Sequence, residues 1–469
     1  MMGSTAVNAR PTRGWLRLTA RALAVLVALQ FVLMGLLVVG QTVPDKPIVD
    51  NLLSAIKEGT YGPSAIPDRM GTQSDTFTEC VVVGTGLGAD PEESARSRAA
   101  RMPRIGNCDG GAADVKAVAA GKVFTDMDYY KYWAGYTVFT RPVLAVAGMD
   151  GLRIASGTLM IACLLGAFLA VRARTTTAVA TGLLLPLVAG TNMLSTPSTS
   201  FSQSISIAFI LLSVVLTAVG AGRSRYLGLI GAVVGAGLFC YVDLLTTPAI
   251  PWALSAFTLA AAVWYGARDL RAAALWGVLG AVGWGFAFAF TWVSRWVFGA
   301  AFLGLDRTVA MVKQNVGFRT SGNWAGVSDA FGAGVTRNVS YWWAHVPTSH
   351  LVLTGCVLAV LVGLLLAARR GGIARWGVAA VLSLPAAVVP FWYTAVSNHS
   401  QIHAFFVNRG VPTVLAVVTA ACLLAAALPA SPGSRLGRRP RSVPAAADTG
   451  GRVERRDPYS TPRKEGRRP

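Results

Sequence analysis

Long apolar runs separated by short polar links make up most of the sequence. The hydrocarbon core of a bilayer is about 30 Å thick and a helix rises about 1.5 Å per residue, so a membrane span needs about 20 apolar residues. About ten runs approach or reach this length. Because each run can pair its own backbone polar groups, as lipid requires, the pattern predicts an all-α, polytopic transmembrane helix bundle.

The apolar runs divide the chain into seven predicted regions. These are a cytoplasmic basic leader at 1–21, a signal-anchor span at 22–40, a large first extracytoplasmic loop domain at 41–151, spans two to seven at 152–294, a second extracytoplasmic loop at 295–349, spans eight to ten at 350–430, and a basic cytoplasmic tail at 431–469. No small-residue cleavage motif follows the first span, so we expect that span to be retained. The tail is basic and rich in proline and glycine, which predicts disorder.

Arginine marks the links that this topology assigns to the cytoplasm. Arg172 and Arg174 follow the second span, and Arg369 and Arg370 follow the eighth. Cytoplasmic loops carry an excess of lysine and arginine, so the pattern predicts that both termini lie inside the cell. We therefore expect a multi-pass protein of the plasma membrane, with residues 41–150 outside the cytoplasm.

Composition agrees with a membrane protein and argues against nucleic acid as a partner. Hydrophobic residues make up 53% of the 469 residues and charged residues only 14%, whereas a typical soluble domain carries about 25% charged residues. The net charge is +20, but the basic residues cluster in the leader, the short links and the tail rather than along one groove. We expect membrane lipid, and not nucleic acid, as a partner.

The six cysteines fall into two groups by position. Four lie in apolar runs and are expected to pack as small hydrophobic side chains. Cys80 and Cys108 lie in the first loop, where an oxidising compartment permits a disulfide between them. We predict that disulfide, with two unpaired thiols as the alternative.

Polar residues of the first loop offer two kinds of chemistry. Asp68, Asp75 and Glu79 are spaced carboxylates, which can act as a general base or bind a divalent cation; a solvated acidic loop is the alternative. Closer to the second span, aromatic faces and cations can form a ledge that binds a sugar and its phosphate. Its members are Asp128, Tyr129, Lys131, Trp133 and Arg141. An amphipathic helix lying on the membrane is the alternative for this stretch.

Basic residues and histidines near the later spans form two further clusters. Arg319 lies among basic residues of the second loop, which either hold a lipid phosphate or diphosphate or form a hydrated face. All four histidines of the chain fall at predicted outer ends, and His399 and His403 are four residues apart, so one helical face can present both. A zinc site needs further ligands, so we expect a substrate contact or a histidine satisfied by hydrogen bonds.

The chain resembles the GT-C class of membrane glycosyltransferases. The similar features are a signal-anchor first span, a large first outer loop with acidic residues, an aromatic membrane-surface helix before the second span, and about ten spans. The chain is also similar to a group of actinobacterial integral membrane proteins in the stretches 71–80, 128–135 and 398–403.

This resemblance implies transfer of a sugar from a polyprenyl-phosphate donor to a glycan or glycolipid acceptor of the cell envelope. A carboxylate, Asp75 or Asp128, would deprotonate the acceptor hydroxyl or position a divalent cation. The other implied contacts are to the phosphate, from Arg319 and Arg409, and to the acceptor, from His399 and His403. The alternatives are a lipid or glycolipid transporter or flippase, and a non-catalytic envelope assembly protein.

Overall fold

Helices account for the regular secondary structure of the protein. The computed structural model describes residues 10–62, 76–106, 111–124, 127–320 and 324–427, with side chains from residue 16 onward except that of Thr76. Within these ranges the remaining pairing consists of two isolated bridges, Thr85 to Arg104 and Pro103 to Asp128. The prediction of an all-α, polytopic bundle is confirmed.

The described residues form twenty α-helices. In chain order they are α1 (Arg10–Gln41), α2 (Asp45–Lys57), α3 (Thr76–Gly84), α4 (Ala95–Arg101), α5 (Ala112–Ala119), α6 (Thr137–Arg174), α7 (Thr177–Ala189), α8 (Thr196–Thr199), α9 (Phe201–Ala221), α10 (Arg225–Val242), α11 (Ala249–Ala267), α12 (Leu270–Leu303), α13 (Leu305–Thr320), α14 (Ala333–His345), α15 (Ser349–Gly371), α16 (Ala374–Ser383), α17 (Val388–Ala395), α18 (Ser397–Ile402), α19 (Ala404–Val407) and α20 (Gly410–Ala426). Short 3₁₀ turns, Met193–Ser195 and Leu384–Ala387, precede α8 and α17.

The number of membrane-length helices agrees with the apolar pattern. Nine helical stretches of the described chain are long and apolar enough to cross a membrane. They are α1, α6, α9, α10, α11, α12, α15, the pair α16–α17 and the pair α19–α20. A tenth span is completed if α7 and residues 193–199 count together. The protein is therefore a multi-pass helical membrane protein.

The tenth span is broken. The axes of α7 and of residues 193–199 differ by 64°. α7 has only 13 residues, contains Pro186 and is followed by Gly190, and Pro197 lies near the start of α8. Proline removes a backbone donor and disfavours a continuous helix. The break falls at residues 190–192, and the Ser/Thr/Pro-rich stretch that follows it leads into α9.

Two long helices begin or end well beyond their apolar runs. α6 starts at Thr137, so the predicted boundary between residues 151 and 152 falls inside it, close to Gly148 with a φ of 64°. α12 continues to Leu303 rather than to 294. The charged residues Arg141 and Arg295 interrupt the apolar pattern, but both are buried and hydrogen-bonded to carbonyls, so the helices continue through them.

Small residues bring the central helices into close contact. α9 packs against α10 and α6, and α20 packs against α7 and α15. At Gly231 of α10, an added Cβ atom would lie 2.3 Å from the Leu216 carbonyl oxygen of α9. At Gly235 it would lie 2.3 Å from the Ser213 hydroxyl. A side chain at either position would force the two helices apart, so the GxxxG spacing of the sequence marks a close helix contact.

A cap, which we define as α2 to α5 together with residues 102–106, 120–124 and 127–136, covers one end of the bundle. We call this the polar end. Arg141 of α6 donates to the carbonyls of Gly40 and Gly86, at 3.1 Å and 2.8 Å, and to Asp45 at 2.6 Å. Arg295 of α12 donates to three cap carbonyls, those of Tyr132, Ala99 and Ala100. These buried arginines fix the cap to the ends of the membrane helices.

Candidate functional site

A polar cavity opens at the polar end, between the cap and α13. Its volume is about 350 Å³, and it is lined by Lys131, Gln314, Asn315, Phe318 and Trp324. Cavities of small-molecule sites typically measure about 300–1,000 Å³ and place a few polar groups among aromatic walls. The cavity is therefore large enough for a phosphate-bearing headgroup or a sugar.

Arg319, at the end of α13, lies beside this cavity and is buried. Its Nη2 donates to the Tyr132 hydroxyl at 2.5 Å, and its Nη1 donates to the backbone carbonyl and the side-chain oxygen of Asn315 at 2.6 Å and 3.1 Å. Its Nε is buried and has no hydrogen-bond partner among the described residues. A guanidinium held in this way keeps a donor available for an anion.

Lys131 lies at the cavity from the cap side, with its ammonium over the rings of Tyr129 and Tyr132, at 4.9 Å and 5.6 Å. Its backbone carbonyl accepts hydrogen bonds from Trp292 and Trp296 of α12, at 3.2 Å and 3.4 Å. The position of Lys131 is therefore set by its contacts with α12.

Positive charge is crowded at this cavity. Burial, together with the nearby cations Arg319 and Arg104, lowers the pKa of Lys131 from 10.5 to about 8. Repulsion among cations is relieved when an anion binds between them. The cluster is thus suited to a phosphate or another anionic group.

His399 and His403 lie next to this basic cluster. Their ring centroids are 4.7 Å apart. Burial, His403 and Arg319 together lower the pKa of His399 well below its ordinary value. Burial lowers the pKa of His403 to about 4, with contributions from Arg319 and Lys131. Both imidazoles are therefore neutral at pH 7. We call Lys131, Arg319, His399 and His403 the basic–histidine site.

The basic–histidine site brings together four residues that the sequence marks as candidates in three separate clusters. Tyr129 belongs beside it, since the guanidinium of Arg104 and the ammonium of Lys131 both lie over its ring. The remaining predicted residues have other contacts.

Trp133 and Arg141 hold the cap in place. Trp133 is fully buried, and its indole nitrogen donates to the Thr291 carbonyl of α12 at 2.6 Å. Arg141 is bound to Asp45 and to cap carbonyls, as described above. Neither side chain lines the cavity. A sugar-binding ledge that includes these two residues is therefore not formed in this arrangement.

The predicted carboxylates lie in different places. Asp128 is ion-paired to Arg307 at 2.6 Å and to Arg101 at 3.6 Å. Glu79 is buried, accepts from the Phe201 backbone at 3.1 Å and lies 3.5 Å from Arg153. Asp68 and Asp75 lie outside the described residues.

Arg409 immediately precedes α20 and contacts the broken span. Its Nε donates to Asn192 at 2.9 Å and its Nη1 donates to Gln203 of α9 at 2.7 Å. These contacts link three helical segments and are separate from those of Arg319.

The predicted cysteine pair is only half described. Cys80 is fully buried, whereas Cys108 lies outside the described residues, so the disulfide stays a prediction. The other four cysteines are free thiols. In the described part of the chain, no group of three or more His, Cys, Asp or Glu residues is placed to hold a metal ion.

Asp243 is buried beside the site and is not among the candidates that the sequence predicts. It follows α10, and its carboxylate accepts from the Thr246 backbone at 2.6 Å and from the Ser206 hydroxyl at 2.9 Å. Burial raises its pKa to about 6, against the opposing effect of these hydrogen bonds. The signal in the sequence is an acid directly after an apolar run, followed by Leu-Leu-Thr-Thr-Pro.

Comparisons of the chain with protein-family models, with curated proteins and with solved structures give no match. The fold and the site define the class of this protein: a multi-pass helical membrane protein with a polar cavity at one end, lined in part by Lys131, and two buried histidines near the cations beside it.

Proposed function

We propose that the protein is an integral membrane glycosyltransferase that transfers a sugar from a polyprenyl-phosphate donor to a cell-envelope acceptor on the extracytoplasmic face. The observation that carries this proposal is a polar cavity lined by Lys131, with the buried Arg319 directly beside it and neutral histidines next to these cations. A lipid phosphate at this depth meets two cations, while its chain stays in contact with the bilayer.

The roles follow from the contacts. Lys131 and Arg319 bind the donor phosphate and stabilise the charge that the phosphate gains when it leaves the sugar. Tyr129, Phe318 and Trp324 offer ring faces to the sugar. A divalent cation bound together with the donor phosphate is part of the proposal.

The test uses purified protein and polyprenyl phosphate as the probe. Lys131→Met and Arg319→Met each remove a cation from the cavity, and we expect each to weaken binding about tenfold or more, because a charge-assisted hydrogen bond contributes about 1.5–3 kcal/mol. Lys313→Met is the matched control, since Lys313 is exposed and lies on α13, the helix that also carries Arg319. Wild-type affinity in both cavity variants would contradict the proposed phosphate site.

Sugar transfer is measured separately, with polyprenyl-phosphate sugars and an extract of envelope acceptors. A transferase is supported if the wild type turns over, the cavity variants lose turnover and Lys313→Met keeps it. Lipid binding without turnover contradicts it.

A second function, transport of a lipid across the bilayer, is favoured by the broken span alone. Discontinuous helices are typical of transporters, and α7 and residues 193–199 form one. This alternative predicts that the protein moves fluorescent polyprenyl phosphate between the leaflets of proteoliposomes, at a rate that depends on the break rather than on the basic–histidine site.

A further inference from the structure

His399 has a fixed tautomer. Its Nε2 lies 2.7 Å from the backbone carbonyl oxygen of Leu245. A carbonyl only accepts hydrogen bonds, so the proton of the neutral ring is on Nε2 and Nδ1 carries a lone pair. Because burial and the neighbouring cation Arg319 keep the ring neutral at pH 7, this is the tautomer present under ordinary conditions.

The loop between α10 and α11 is built to hold that carbonyl. Leu245 has a φ of 65°, which is unusual for a residue other than glycine. The Asp243 carboxylate accepts from the backbone and the hydroxyl of Thr246 and from Ser206 of α9. These bonds hold the loop in a turn that a leucine would not adopt alone, and the turn presents the Leu245 carbonyl to His399.

The other nitrogen of the ring has a different environment. His399 is only 2% exposed, yet its Nδ1 has no hydrogen-bond partner among the described residues. A buried polar atom without a partner costs free energy, and in a native protein it needs a reason. A functional reason is available here, since helix α18, which carries His399, contacts helix α13, which carries Arg319.

We propose that His399 is the catalytic base of the transfer reaction, acting through Nδ1, and that Asp243 is the positioning residue that fixes its tautomer through the Leu245 carbonyl. This inference rests on the proposed function. The acceptor oxygen forms a bond to the anomeric carbon of the donor while the bond from that carbon to the phosphate oxygen breaks. The phosphate leaves with the electron pair, and the acceptor proton moves to Nδ1.

The described carboxylates are less suited to this role than His399. Asp128 is ion-paired to both Arg307 and Arg101, which stabilise its charged form and weaken it as a base. Glu79 is engaged by the Phe201 backbone and by Arg153. Asp75, outside the described residues, is the competing base and is included in the test.

The first experiment reads the tautomer and needs no substrate turnover. Nitrogen-15 spectra of histidine-labelled full-length protein in detergent resolve four imidazoles, and the signal that His399→Gln removes belongs to His399. We expect a neutral ring protonated on Nε2 at pH 7, and we expect Asp243→Asn to convert it to a mixture of tautomers. A charged ring, or a proton on Nδ1, overturns the proposal.

The second experiment separates a base from a purely structural histidine. In His399→Gln, the amide nitrogen of glutamine can still donate to Leu245, so the loop contact is kept while the basic nitrogen is lost. We expect kcat to fall at least about 100-fold with little change in polyprenyl-phosphate binding, as is typical when a general base is removed. His350→Gln, at an exposed histidine, is the control and keeps wild-type turnover.

The pH dependence of kcat separates a catalytic base from a histidine that only supports the fold, because only the base imposes its own titration on the rate. Arg319 and His403 face His399 and, together with burial, lower its pKa, so the acid limb of kcat should lie well below pH 6.5. Full turnover in His399→Gln together with its loss in Asp75→Asn overturns the inference and leaves the proposed function intact. A wild-type protein without transfer activity overturns both.

Discussion

Lys131 gives the most direct test of the basic–histidine site, because burial brings its titration into an accessible pH range. With a pKa of about 8, the side chain is about 90% charged at pH 7 and about 10% charged at pH 9. If a bound phosphate requires the ammonium form, its affinity falls about tenfold between these two pH values, which corresponds to about 1.4 kcal/mol.

The sign of this effect is specific to the lysine. Lysine loses its proton as pH rises, so binding weakens on the alkaline side. The second ionisation of a phosphate monoester, near pH 6, makes the ligand more negative as pH rises and would strengthen binding. A lysine with its ordinary pKa of about 10.4 would change its charge by only a few per cent over this range. A tenfold loss between pH 7 and 9 therefore has to come from a group such as Lys131.

The assay is equilibrium binding of polyprenyl phosphate to the purified protein, followed by tryptophan fluorescence, since Trp324 lines the cavity and Trp292 contacts the Lys131 carbonyl. Lys131→Arg is the matched variant, because arginine stays charged at pH 9. We expect the affinity of Lys131→Arg to be nearly independent of pH in this range. A flat profile in the wild type, or the same decline in Lys131→Arg, would refute the reasoning.

Three other predictions follow from the packing of the cap. Arg295→Met leaves three buried carbonyls without their donor, so thermal unfolding in detergent should show a loss of about 2–4 kcal/mol; an unchanged transition would contradict the structural role of this arginine. Asp128→Asn removes the ion pairs to Arg307, which is 51% exposed, and to Arg101, so stability should fall by about 1 kcal/mol, and transfer should continue if His399 is the base. Lys46→Cys places a thiol at a side chain that is 84% exposed on the cap; an impermeant maleimide should label it in intact cells, and labelling only after lysis would reverse the predicted sidedness.

How far the sequence predicts the site depends on the residue. Lys131, Arg319, His399 and His403 are candidates in the sequence because cations, histidines and aromatic rings at the outer ends of apolar runs can hold a phosphate or contact a sugar. Arg141 and Trp133 meet the same criterion, yet in the structure they hold the cap. A guanidinium satisfied by backbone carbonyls and one that binds a phosphate have the same appearance in a sequence, because both need acceptors and only the fold decides which acceptors are near.

The sequence alone determines the membrane character of the protein, the approximate number of its spans and its helical class. These properties depend on the length of the apolar runs, which is a local property of the sequence. The sequence does not determine where α6 begins or where α12 ends, since buried charges such as Arg141 and Arg295 look like loop residues until their partners are known. The tertiary structure brings Arg319 to Tyr132, 187 residues away along the chain, and His399 to Leu245, 154 residues away. Contacts at such separations are set by how the helices pack, and that packing is what assembles a cavity from residues that the sequence scatters over several loops.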